Sequence, residues 1–363
     1  MKQNIQKLLA FACAITLFFT ACKKEISQDN TTVNTDQGKN IVKDFTQVNL
    51  VANNDEYGVA RIDPNLINAW GIAFSPTGNP WISSNGMGVS VVYNKDGDQV
   101  LPPVSIPSPT GPTGGTPTGQ VFNSTSDFLM ANGNPAKFIF VGEDGIISGW
   151  NGGSAASVLL NDGPNAVYKG VTIASSGGAN YLYTANFSEF KIDVYDGTFQ
   201  EVSMPFTDPN LPAGFSPFNI QNIDGMLFVA YAMKNPASND EIAGDGLGYV
   251  DVYNTDGTLA QRFASEGQLN APWGIAKAPA SFFGNGGQNA ILIGNFGDGH
   301  ISSFTLSGTH MGQLRKHGQP IAIEGLWGLS FAPASAIASN PNWLYFTAGP
   351  SGEADGLFGY ITK

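Results

Sequence analysis

The chain has 363 residues and a formal net charge of −12, and 13% of its residues are charged. This acidic balance argues against nucleic acid as a partner, because phosphates require a basic protein surface. The 45 glycines and 22 prolines suit many short strands joined by tight turns, and the chain beyond its N-terminus lacks the apolar period of long helices.

Residues 1–21 have the pattern of a bacterial lipoprotein signal peptide. Lys2 and Lys7 precede an apolar run at residues 8–19, and such a run of about 12 residues is too short to span a bilayer. Cys22 follows the small residue Ala21, so we predict that Cys22 is lipidated and becomes the first residue of the mature protein. An ordinary cleaved secretory signal is the alternative.

The cysteine content supports a lipid anchor. Cys13 lies within the segment to be removed, so Cys22 stands alone and no intramolecular disulfide can form. The remainder of residues 22–43 is mostly polar, which predicts a flexible tether. We therefore expect an exported outer-membrane lipoprotein that contacts the membrane through its anchor and faces the periplasm or the cell surface.

A repeat of about fifty residues dominates the rest of the chain. Each copy opens with a short apolar strand, continues with a second strand, and closes with a strand that ends in an aromatic residue. The opening phrases are WGIAF (70–74), TGQVF (118–122), KGVTI (169–173), FNIQN (218–222), WGIAK (273–277) and WGLSF (327–331). This period predicts an all-β fold over residues 44–363, a six-bladed β-propeller with four strands in each blade.

The opening phrases should form the innermost strands, because they carry the least charge. Their glycines suit the axis of the ring, where neighbouring blades leave little room for side chains. Residues 45–52 precede the first blade, whereas the last blade ends at Lys363 without an outer strand. We predict that residues 45–52 supply this strand and close the ring.

Asn and acidic residues recur just after the second strand of each repeat. Equivalent positions in a propeller face the same end, so we expect these side chains to form a ring of oxygen ligands. Such a ring suits a hard cation such as Ca²⁺, or sugar hydroxyls, although Asn and Asp also satisfy turn backbones. The candidate ligand or metal residues, including one from the fourth opening phrase, are Asn85, Glu143, Asn186, Asn219, Asn295 and Glu353.

A second candidate ring comes from polar residues in or before the inner strands. These residues could bind a ligand or simply line a hydrated channel. They are Asn68, Gln120, Asn219, Gln221, Asn222, Asn270 and Glu324.

No familiar catalytic signature is present, so the catalytic residues are not assigned. The chain has no G-x-S-x-G elbow, H-E-x-x-H motif, P-loop or dinucleotide fingerprint. Its three histidines lie in or just after the fifth repeat and cannot encircle a central metal. No cofactor is therefore certain, and Ca²⁺ or another divalent cation is the one that the oxygen-rich turns would suit.

The phrase WGIAFSPTGNPWISSNG (residues 70–86) and its relatives in the fifth and sixth repeats resemble NHL-type six-bladed propellers. The phrases EDGIISGWN, GLGYVDVYNTDG, IGNFGDGHI and LYFTAGPSGEADGLFG look like those of a family of exported bacterial propeller proteins without an assigned activity. The resemblance covers residues 45–363 and implies a six-bladed fold and export. Gluconolactonase-like hydrolases are similar in blade pattern alone.

Two functional hypotheses follow. The preferred one is a monomeric, lipid-anchored binding module at the cell envelope, with a carbohydrate or a protein as its ligand. The other is a metal-dependent hydrolase or lactonase-like enzyme with its site at the mouth of the central channel.

Overall fold

The computed structural model describes residues 42–363, which fold into six small antiparallel sheets arranged as a six-bladed β-propeller. This confirms the predicted fold class. The predicted signal peptide, the lipidation site Cys22 and all but the last two residues of the tether lie outside the described residues. Within residues 42–363 no helix has the length and apolar character needed to cross a membrane.

The first three blades contain four, four and three hydrogen-bonded strands. From the axis outward, these strands are Ala69–Phe74, Pro80–Ser84, Val89–Tyr93 and Gln99–Ser105; Pro117–Phe122, Phe138–Gly142, Ile146–Trp150 and Ser157–Asn161; and Tyr168–Ser176, Ala179–Asn186 and Lys191–Asp196. In the third blade the predicted fourth strand is reduced to a single bridge between Tyr195 and Glu201.

Each of the last three blades contains four antiparallel strands, and in blade six the two-residue strand Arg61–Ile62 is added in parallel at the outer edge. From the axis outward, these strands are Phe215–Ile223, Met226–Lys234, Tyr249–Tyr253 and Leu259–Ser265; Pro272–Ala278, Ala290–Asn295, Ile301–Phe304 and His310–Gln313; and Leu326–Phe331, Leu344–Ala348, Leu357–Thr362 and Thr46–Ala52.

Short additional elements occur in the connections. The strands are Arg61–Ile62, Pro107–Ser108, Gly111–Gly114, Glu241–Ile242, Arg315–Lys316 and Gln319–Pro320, and the 3-10 turns are Asn85–Met87 and Ala280–Phe283.

The ring closes as predicted, through the strand Thr46–Ala52. This strand pairs antiparallel with Leu357–Thr362, from Thr46 opposite Thr362 to Ala52 opposite Leu357. Phe45 is buried beside it and stacks on Phe282, with ring centroids 4.9 Å apart. Val42 is also buried in this core, so the folded part begins at least two residues before the predicted boundary at residue 44.

Glycines of the inner strands permit the close approach of neighbouring blades, as their sequence pattern predicts. A Cβ atom on Gly119 would lie 2.9 Å from the Cα of Gly170 in the next blade, and one on Gly274 would lie 2.7 Å from the carbonyl oxygen of Trp327. Such distances leave no room for a methyl group, because the obstructing atoms belong to the backbone.

Aromatic side chains fill the middle of the channel. Trp70 stacks on Trp327 with centroids 3.7 Å apart, and Trp273 lies 6.4 Å from Trp70 although blades one and five are not neighbours. Phe187 and Phe218 complete this cluster, which we call the aromatic plug. The plug separates an upper mouth, where the six inner strands begin, from a lower mouth, where they end.

Candidate functional site at the upper mouth

Backbone hydrogen bonds bring the turns after the second strands to the upper mouth. The amide of Glu143 donates to the carbonyl of Thr116, which directly precedes the inner strand of blade two. The amide of Asn68, just before the inner strand of blade one, donates to the carbonyl of Asp355 in blade six. The turns and the inner-strand starts are therefore parts of one surface.

A buried lysine lies at the centre of this surface. Lys169 is the second residue of the inner strand of blade three, and its side chain is only 2% exposed. Its Nζ lies 2.7 Å from Oε1 of Glu143, 3.9 Å from Oε2 of Glu241, and 4.9 Å from the centroid of Trp70 in the aromatic plug. The plug therefore forms the apolar floor beneath the ammonium group.

Hydrogen bonds connect this lysine to a second acidic residue across the seam of the ring. Nδ2 of Asn85 donates to Oε2 of Glu143 over 3.1 Å. Nδ2 of Asn68 is 2.7 Å from Oε2 of Glu353 and 3.5 Å from Oδ1 of Asn85. The side chains thus form a continuous polar network from Lys169 in blade three to Glu353 in blade six.

Glu241 reaches the lysine from a long connection in blade four. The two-residue strand Glu241–Ile242 pairs with the end of Met226–Lys234, placing Glu241 opposite Lys234. The side chain of Glu241 is 6% exposed. Glu143, Glu241 and Glu353 therefore come from blades two, four and six, an alternating arrangement around the ring.

Burial and mutual charge set the protonation of these groups. Burial disfavours the Lys169 ammonium, but Glu143 and Glu241 outweigh this effect and raise the pKa of Lys169. Burial raises the pKa of Glu241 to about 7 although Lys169 opposes the shift. Burial also raises the pKa of Glu353. A permanent cation thus lies beside a carboxyl group that titrates near neutrality, a combination that is concentrated at functional sites.

In the described part of the chain, hydrogen-bond donors of Lys169 and Trp70 lack an acceptor at the centre of the network. An ammonium group has three donors, and Glu143 is the hydrogen-bond acceptor for Lys169, whereas Glu241 at 3.9 Å lies beyond hydrogen-bond range. Nε1 of Trp70 is buried without a partner among the described residues. Buried donors are almost always paired, so an acceptor oxygen from a ligand or a water molecule fits here.

Three of the six candidate residues meet in this network, namely Asn85, Glu143 and Glu353. The other three candidates make their side-chain hydrogen bonds outside this network, and ligand binding by the six residues stays a prediction. Asn186 donates to Glu189 and Asp193 within its own blade.

Asn219 and Asn295 also donate to backbone carbonyls. Asn219 takes the place that glycine occupies in other inner strands and donates to the carbonyl of Trp273 over 2.7 Å. Asn295 donates to the carbonyl of Gln268 and to Asp298. Asn219 thus bonds across to blade five, whereas Asn295 bonds within blade five and its Oδ1 is buried without a partner among the described residues.

The second predicted ring divides in the same way. Asn68 belongs to the upper network, while Gln120 donates to the carbonyls of Gly71 and Trp81. Asn270 accepts from the amide of Gly244, and Glu324 accepts from the amide of Ser351. The remaining members, Gln221 and Asn222, line a cavity at the lower mouth.

Lys169 and Glu241 were not among the candidate residues. The signal for Lys169 is present, because KGVTI is the one opening phrase that begins with a charged residue. Glu241 lies in the irregular connection at residues 234–246, outside the turn position that recurs between repeats, so the repeat pattern does not identify it. Among residues 42–363, no group of three or more His, Cys, Asp and Glu side chains could hold a metal ion.

No protein-family model matches the chain. Two uncharacterized proteins of Acanthamoeba polyphaga mimivirus are each 33% identical over 334 residues. The alignments cover 87% of this chain and 80% and 86% of the viral proteins. The chain belongs to their family. These relatives are viral, and they support neither the bacterial origin nor the export that the sequence resemblance implies.

Solved structures with similar folds show the same architecture. The α-L-arabinofuranosidase of Fusarium graminearum superposes with a TM-score of 0.54 at 10% identity, and a streptogramin B lyase with a TM-score of 0.51 at 13% identity. Each comparison covers 88% of this chain and 97% of the other chain. At such low identity the likeness establishes the propeller fold alone.

Proposed function

We propose that this protein is a carbohydrate-binding propeller, lipid-anchored at Cys22 and exported to the cell envelope, whose ligand lies over the upper mouth. The observation that carries the proposal is the convergence of Glu143, Glu241 and Glu353 on Lys169. Carboxylates accept hydrogen bonds from sugar hydroxyls, while the ammonium group donates to hydroxyl or ring oxygens.

An exposed aromatic residue beside this network supports the choice of a carbohydrate. Phe190 follows the second strand of blade three and is 52% exposed. Nζ of Lys234 lies 5.8 Å from its ring centroid, and Lys234 is the strand partner of Glu241. An aromatic face next to several hydrogen-bonding groups suits a sugar ring, which has both apolar and hydroxyl-bearing surfaces.

Binding of purified protein to a glycan array, followed by calorimetric titration of the bound glycans, tests this proposal. We expect Glu143→Gln and Phe190→Ala each to weaken binding about tenfold or more, since each removes an anchoring contact worth about 1.4 kcal/mol. Ile337→Ala is the control, because Ile337 is 86% exposed and lies outside the upper network. Absence of glycan binding, or equal binding by all variants, would refute the proposal.

The anchor is tested separately by metabolic labelling with a fatty-acid analogue. The full chain should carry the label in the membrane fraction, whereas Cys22→Ala should carry none. Unlabelled wild-type protein would exclude lipidation without affecting the glycan result.

Acid–base catalysis at the same mouth is a second candidate, because the pKa of Glu241 is raised to about 7. A carboxyl group that titrates near neutral pH can both donate and accept a proton, and the adjacent ammonium can stabilise developing negative charge. Hydrolysis of a bound glycan should then disappear in Glu241→Gln while binding persists. Wild-type protein that leaves the bound glycan intact would eliminate this candidate.

A further inference from the structure

A second cavity lies at the lower mouth, on the other side of the aromatic plug from Lys169. It has a volume of about 270 Å³ and is lined by the later residues of the inner strands of blades four, five and six, with Ile72 of blade one. Trp273 of the plug and Asn219 also line it. The cavity therefore adjoins the aromatic plug on the side away from Lys169.

The polar side chains of the cavity differ in how firmly they are held. Asn222 is fixed, because its Nδ2 donates to the carbonyl of Ile173 and its Oδ1 accepts from the amide of Gly225. Gln221 and Ser330 retain hydrogen-bonding capacity. The side-chain amide of Gln221 has no hydrogen-bond partner among the described residues. The hydroxyl of Ser330 contacts only the adjacent carbonyl of Phe331, at 3.3 Å.

Apolar side chains form the remaining wall. Ile275, Leu329 and Phe331 face the cavity together with Ile72. At the rim, Lys277 of blade five forms an ion pair with Asp224 of blade four. Because these two charges compensate each other, the cavity offers a neutral ligand one apolar face and one face of amide and hydroxyl groups.

We propose that this cavity is a second binding site, specific for a neutral, hydroxyl-bearing ring of monosaccharide size. Pockets for drug-sized ligands occupy roughly 300 to 1,000 Å³, so a volume of about 270 Å³ selects something smaller. Gln221 and Ser330 bind the hydroxyl groups, while Ile72 and Leu329 pack against the C–H face of the ring. The site is independent of the proposed function, since the plug separates the two mouths.

Saturation-transfer NMR on the full chain, titrated with D-glucose, D-galactose and N-acetyl-D-glucosamine in turn, tests this inference. At least one sugar should bind saturably, and Gln221→Leu should weaken it about tenfold, which corresponds to about 1.4 kcal/mol. Gln261→Leu is the matched control, because Gln261 is exposed on the outer strand of the same blade. Ser330→Ala provides a second, smaller change should Gln221→Leu fail to fold.

The two mouths are distinguished by one further variant. Binding that is lost in Gln221→Leu or Ser330→Ala but retained in Glu143→Gln supports the lower site. Binding that is lost only in Glu143→Gln overturns this inference and favours the upper mouth. Absence of saturable binding for all three sugars overturns it as well, leaving the glycan proposal to its own test.

Discussion

Replacing Glu241 with glutamine should change how the stability of the protein depends on pH. Burial raises the pKa of this carboxyl group from 4.5 to about 7, so the folded state binds its proton more tightly than the unfolded state. As the pH rises from about 4.5 to 7, the folded state holds the excess of protons and the free energy of unfolding falls.

The size of this effect follows from the shift. About 2.5 pKa units at 1.36 kcal/mol each give roughly 3 kcal/mol, and the side chain is only 6% exposed, so solvent screening reduces it little. Lys169 does not add to the change in this window, because its raised pKa keeps it charged throughout. The pKa of Glu353 is also raised, but Glu353 affects the pH dependence of the free energy of unfolding equally in the wild type and the variant, so its effect cancels in the comparison.

Urea unfolding of the wild type and Glu241→Gln, followed by circular dichroism at several pH values from about 4.5 to 8, measures the difference. We expect the free energy of unfolding of the wild type to fall by up to about 3 kcal/mol more than that of the variant over this range. Glu201→Gln, in an exposed part of blade three, should retain the wild-type profile. Parallel profiles for wild type and Glu241→Gln would refute the buried, proton-binding role of Glu241.

Three further substitutions test the ring and the upper mouth. Gly119→Ala should lower the free energy of unfolding by about 1–3 kcal/mol, because its methyl group would meet the backbone of Gly170. Gly111→Ala is the control and should leave the free energy of unfolding unchanged, since the space around Gly111 is open; equal effects of the two substitutions would contradict the crowding argument. Phe45→Ala should destabilise the ring by about 3–5 kcal/mol in denaturant unfolding, and a loss below about 1 kcal/mol would indicate that closure does not depend on this contact. Lys169→Met should lower the free energy of unfolding by about 3 kcal/mol at neutral pH, since it leaves buried carboxylates without a cation. The loss should be smaller in acid, where the carboxylates are protonated, and a loss independent of pH would argue against the ion pairs.

The architecture could be predicted from the sequence because the same pattern of strands occurs six times. The spacing of the opening phrases predicted the blades, and the unmatched strand at residues 45–52 predicted the closure, since an open ring would expose an apolar face of the last blade. The missing fourth strand of blade three could not be foreseen. It depends on local pairing around Tyr195 and Glu201 rather than on the repeat.

The site was predicted only where the repeats are equivalent. Asn85, Glu143 and Glu353 were found because they occupy corresponding turns, but the same reasoning also selected Asn186 and Asn295, and Asn219 was chosen as a polar residue of an inner strand. Hydrogen bonds to nearby groups hold those three side chains, and sequence does not reveal whether an amide has a neighbour to bind. Glu241 was missed because it lies in the long connection at residues 234–246 rather than at the turn position that recurs between repeats.

The junction between blades six and one lies at the upper mouth. The proposed binding surface therefore needs residues from both the first and the last blade to be synthesised. Asn68 in the first blade donates to Glu353 in the last, and Nε1 of Trp327 donates to Oδ1 of the same asparagine over 2.8 Å. These contacts join residues more than 250 positions apart, so they cannot form until blade six has been synthesised. A nascent chain already carries Lys169 and Glu143 well before blade six emerges, yet its mouth lacks one acidic side. A prematurely terminated chain would therefore have no complete mouth, however well its first five blades fold.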